Sequence, residues 1–151
     1  MNTIAKTFAP VVAAVAAAVA ATAVSVALLG MAPAQAQSAD QVKADFARAV
    51  YLNSAAQVHN DRPQPMLRAV VVLRIKLGDN NEWQAEVFRD NPDQPEMTRA
   101  ALQSVARLPV PVGLSPKARQ LLRTEGLIEA WLFENDGRFA LKTLAKPQRT
   151  A

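Results

Sequence analysis

Apolar and charged side chains alternate between Met66 and Leu77, and no other stretch restricts the fold so tightly. Ala69, Val71, Leu73, Ile75 and Leu77 fall on one side, with Arg68, Arg74 and Lys76 on the other. A period of two with β-branched residues predicts an antiparallel strand with one buried face and one wet face. Gly78-Asp79-Asn80-Asn81 supplies turn chemistry. Glu82 to Arg89 then returns, with Trp83, Ala85 and Val87 on one face. These runs form a hairpin, and the rest of the chain must cover its apolar side.

The N-terminus reads as an address. Lys6 precedes an uncharged run from Pro10 to Gly30 dominated by Ala and Val, and Ala34-Gln35-Ala36 closes it with a small-x-small cleavage site. That is the pattern of a secretory signal peptide over residues 1–36. The run from Pro10 to Met31 is also twenty-two residues long, enough to span a bilayer. An uncleaved inner-membrane anchor therefore stands beside the cleaved leader, and the weak hydrophobicity of Ala favours cleavage. Both readings place the domain on the outer side of a bacterial inner membrane, and membrane attachment results only if the segment is retained.

The chain beyond residue 36 is long enough for one domain with a single modest core. Of the seventeen Lys and Arg, only Lys6 precedes that domain, and they face thirteen Asp and Glu with signs mixed along the chain. A mild excess without a basic run argues against nucleic acid as a partner. There is no cysteine, so the fold has no disulfide, no thiolate chemistry and no Cys-held metal.

Asp40 can cap a helix over about Gln41 to Val58, where Val42, Phe46, Ala49, Val50 and Asn53 make a thin stripe suited to a surface helix. This helix and the connector through Asp61, with Pro63 and Pro65 beyond it, read as a segment distinct from the domain at residues 62–146. Asp93 and Glu96 stand at capping-box spacing around Pro95 and open a helix to about Leu108, with Met97, Ala101, Leu102, Val105 and Leu108 inward. Leu108 to Gly113 reads as an extended crossing. Ser115-Pro116 starts a short helix that Gly126 ends. Leu127 to Asn135 and Arg138 to Leu144 form a second hairpin about Asp136-Gly137, a type I′ signal. A two-residue turn there puts Ile128, Ala130 and Leu132 on one face with Leu141 and Thr143. The tail at 147–151 is polar and reads as frayed. This order predicts an α+β fold: a small antiparallel sheet of two hairpins with helices packed on one face.

No catalytic constellation emerges. His59 is the only histidine and reads as an exposed loop residue, which leaves a zinc site without ligands. The glycines are scattered, so no phosphate-cradling loop forms. Asp90 with Asp93, and Glu134 with Asp136, lie in turns where carboxylates cap or solubilise. Trp83, Phe88, Trp131 and Phe133 admit two readings, core filling or a partly exposed aromatic surface. Trp131 and Phe133 alternate with Ile128, Ala130 and Leu132, so both faces of that strand are apolar and each needs a cover, from this chain or from a partner.

The run Met66-Leu67-Arg68-Ala69-Val70-Val71-Val72-Leu73-Arg74-Ile75-Lys76-Leu77-Gly78, the helix segment Arg99 to Pro111, and the strand Ile128 to Phe133 together resemble the C-terminal domain of TonB and TolA. These are the periplasmic ends of energy-coupling proteins, and the resemblance covers about residues 62–144. It implies a function by binding, with no catalysis and no cofactor: a periplasmic protein-binding or accessory module. Domains of this family take an extended peptide from an outer-membrane transporter along the open side of their last strand. On this reading the partner is an envelope protein or peptide, met by the last hairpin and its aromatic outer face through Trp131, Phe133, Arg138 and Lys142. Arg138 and Lys142 would equally serve to keep an edge strand soluble. Strand exchange between copies would give a homodimer. Arg138 to Leu144 extends past the family's closing strand and, when paired, takes the backbone groups a peptide would use. The alternatives are an inner-membrane-anchored transducer component and an envelope hydrolase, the latter requiring a titratable cluster that the sequence does not show.

Overall fold

The computed structural model describes residues 37–147, so the segment at 1–36 read above as a signal peptide and the last four residues lie outside it. Seven elements occur in order: α1 (Ala39–Asn53), β1 (Ala69–Leu77), β2 (Trp83–Arg89), α2 (Pro95–Ala106), α3 (Pro116–Thr124), β3 (Leu127–Phe133) and β4 (Phe139–Leu141). The strands make one antiparallel sheet in the order β2-β1-β3-β4. The described residues thus form an α+β fold, with three helices and a four-stranded sheet.

The alternation in β1 has the expected effect. Ala69, Val71, Leu73, Ile75 and Leu77 are buried, and the residues between them are half-buried. The helices cover this face. Trp131 lies at its centre, fully enclosed, and its Nε1 donates to Ser104 Oγ at 3.0 Å. Phe46 of α1 meets Trp83 and Trp131 edge-on, with ring centroids 5.1 and 6.4 Å away. Helix α1 is therefore part of the core and not a surface appendage: Val42, Phe46, Ala47 and Val50 are all buried. Its cap is Ser38, whose Oγ accepts from Gln41 N–H, in place of the expected Asp40. It ends at Asn53, short of Val58, because the backbone at Gln57 and His59 is bonded to Phe139 instead.

The ends of α2 and α3 contrast. Ser115 Oγ accepts from Ala118 N–H, Pro116 occupies the first turn, and Gly126 stops α3 with φ +73°, as the residue types require. The capping box before α2 is not made. Gln94 is the cap and its side chain does not bond the helix. Arg68 takes both acceptors there, donating from Nε to Gln94 Oε1 at 2.8 Å and from Nη2 to Glu96 Oε1 at 2.9 Å. The exchange ties the start of α2 to the entry of β1.

The second hairpin corrects the type I′ expectation. In its turn only Gly137 has a positive φ, and its N–H donates to Glu134 O while Glu134 N–H donates to Arg138 O. This is a three-residue loop with a left-handed last position. Asn81, at φ +62°, closes the first hairpin in the same way. The additional loop residue slips the register by one, and a one-residue slip turns every side chain to the opposite face. Leu141 therefore pairs with Trp131 and joins the core, while Ala140 pairs with Leu132. Thr143 likewise leaves the Ile128 side, its N–H donating to Glu129 Oε1.

Candidate functional site

A sheet without closure has two edges, and here they differ. Along β4 the outward backbone groups are taken. Phe139 N–H donates to Gln57 O, His59 N–H donates to Phe139 O, and Leu141 N–H donates to the Tyr51 hydroxyl at 3.2 Å. Burial pushes the Tyr51 phenol up, the Leu141 amide opposes this, and the Glu129 carboxylate adds to it. The connector lies in place through Glu134, which is fully buried: Oε1 accepts from Gln64 N–H at 3.1 Å, and Oε2 stands 3.1 Å from His59 Nε2. His59 and Glu134 are therefore not the exposed loop residues expected from sequence. They lie too far apart in the chain for any local pattern to have paired them.

Along β2 the edge is open. Gly78 N–H bonds Glu82 O, so by antiparallel alternation Gln84 and Glu86 are the residues whose backbone faces β1. Trp83, Ala85 and Val87 turn their N–H and C=O groups outward, and no other described segment bonds to them. A bulge ends this edge: Leu73 pairs with Val87 and Val72 with Arg89, leaving Phe88 as the extra residue. Without it Arg89 would lie on the helix side. With it, both Phe88 and Arg89 lie on the other face, where the Arg74 guanidinium sits 5.4 Å from the Phe88 ring centroid.

Among the described residues no helix covers that other face. Val70, Val72, Ala130 and Leu132 form the floor of a groove of about 530 Å³, and Arg89, Lys142 and Lys146 stand among its lining residues. The residues proposed from sequence divide accordingly. Trp131 and Phe133 are not an outer aromatic face: both are fully buried, because the helices cover the side with the larger side chains. Arg138 flanks the turn, bound to Asp136 at 2.7 Å, and its amide and guanidinium hold the Asp136 carboxyl below its usual range. Lys142 belongs to the groove. Of the four aromatics, Phe88 is the exposed one.

Among the described residues no group of His, Asp and Glu could hold a metal, and no helix is long and apolar enough to cross a membrane. Compared with protein-family models, curated proteins and solved structures, the chain matches none.

Proposed function

We propose that this chain is a non-enzymatic periplasmic binding or accessory module of the TonB/TolA C-terminal type, which takes an extended peptide of an envelope protein by strand addition. The observation that carries this reading is the single open sheet edge. Strand addition requires unpaired main-chain donors and acceptors in register, and Trp83, Ala85 and Val87 supply them. The peptide adds at β2, not beside the last hairpin, where the connector and Tyr51 already fill the edge. Exposed Val87 and half-buried Trp83 border the added strand on the helix side and supply side-chain selection.

Proline at position 85 tests this. The Ala85 N–H faces outward, so Ala85→Pro removes no bond to β1, and an edge strand tolerates proline in that orientation. A photoreactive residue at Glu86, which is exposed, reports capture in intact envelopes. We expect an adduct with an envelope protein from position 86, its loss in Ala85→Pro, and an unfolding free energy within about 1 kcal/mol of the parent. An adduct unaffected by the proline, or one formed only from position 138, would remove strand addition at β2.

A further inference from the structure

We propose that the groove on this sheet face binds a single-chain anionic amphiphile, with its alkyl chain along the floor and its head group among Arg89, Lys142 and Lys146. The groove volume of about 530 Å³ falls within the roughly 300–1,000 Å³ of small-ligand sites. Its floor belongs to β1 and β3, the two central strands. Their backbone groups are used by neighbouring strands, so the floor offers apolar side chains and no free main chain. An extended peptide gains nothing there beyond side-chain contact, whereas an alkyl chain has no hydrogen bonds to lose.

The charge pattern selects the head group. The lining holds three cations and no acidic residue. None of the three is in an ion pair among the described residues. Arg74, the next cation on this face, already leans on Phe88 and stands 4.0 Å from Glu86. Arg89 reaches the groove only because the Phe88 bulge re-aims it. Three unpaired cations around an apolar floor complement an anion attached to a hydrocarbon. Pro63, Leu67, Ala145 and Pro147 complete the lining.

This site is separate from strand addition at β2, and its test is independent. The full chain is titrated with monomeric dodecanoate, with dodecyltrimethylammonium, and with phosphatidylglycerol vesicles. The methyl resonances of Val70, Val72 and Leu132 serve as reporters. We expect one dodecanoate per chain, shifts confined to methyls that line the groove, and dodecyltrimethylammonium weaker by about tenfold or more. Arg89→Glu combined with Lys142→Glu, both exposed, should weaken dodecanoate by at least roughly tenfold with an unchanged unfolding midpoint. Ala85→Pro should leave dodecanoate affinity intact even where it abolishes peptide capture. Equal affinity for both head groups would mean that the cations merely lay their stems over the floor, and would overturn the proposal. Retention on vesicles without binding of monomeric dodecanoate would overturn it in favour of a membrane surface. Dimerisation that buries the same methyls, with no response to dodecanoate, would overturn it in favour of a second copy.

Discussion

Trp131→Ala lowers the unfolding free energy by about 3–5 kcal/mol, the largest loss expected from any single truncation here. The side chain is fully buried. Its removal opens a cavity bounded by Phe46 and takes the donor from Ser104 Oγ, which itself donates to Ala101 O at 2.7 Å. Partial collapse cannot restore both the packing and that bond. Leu132→Ala, one residue along on the open face, should cost only about 1 kcal/mol, since a half-exposed side chain leaves little cavity. Urea unfolding of the pair measures the difference. Similar losses would mean that the helices do not discriminate between the two faces of β3.

Gly126→Ala is expected to cost about 3 kcal/mol. Two causes add. The residue sits at φ +73°, where a Cβ costs about 1–2 kcal/mol. That Cβ would also stand 2.6 Å from Ile75 O, and a carbonyl in a central strand cannot yield, so overpacking contributes about 1–3 kcal/mol. Gly113 has the same φ of +73° with nothing within 4 Å of a new Cβ, so Gly113→Ala isolates the conformational cost. Thermal or urea unfolding of both variants separates the two causes. Equal costs would show that the α3–β3 junction can move away from β1 without loss.

Much of this fold was legible in the sequence because local chemistry fixed it. Alternation from Ala69 to Leu77, Ser115-Pro116 ahead of α3 and Gly126 behind it each act within a few residues. The readings that failed needed information from a distance. The register of the second hairpin turned on whether Asn135 belongs to the strand or to the loop, and that one residue decided the side on which Leu141 lies. Helix α1 carries a thin stripe, yet Phe46 is central because two tryptophans converge on it. The alternation of Trp131 with Leu132 was readable, but the face to be covered was not. Both sides of β3 are apolar, and Glu129, which lies on the buried side, looks from sequence like an outward residue. Its Oε1 accepts from the amides of Ala130 and Thr143 inside the fold.

The candidate surfaces were less legible than the fold. The hairpin was the expected partner edge, but its closure depends on Gln57, His59 and Tyr51, which sequence alone does not bring to β4. The opening of β2 emerges by elimination once the strand order is known, and the groove owes Arg89 to a bulge that no residue type announces.

Native-state hydrogen exchange tests the central claim most directly, because it reads the two sheet edges amide by amide. We predict slow exchange at Phe139 and Leu141, protected by at least about two orders of magnitude, and fast exchange at Trp83, Ala85 and Val87. Protection at Ala85 and Val87 equal to that at Phe139, or free exchange at Phe139 and Leu141, would contradict the assignment of the closed and open edges.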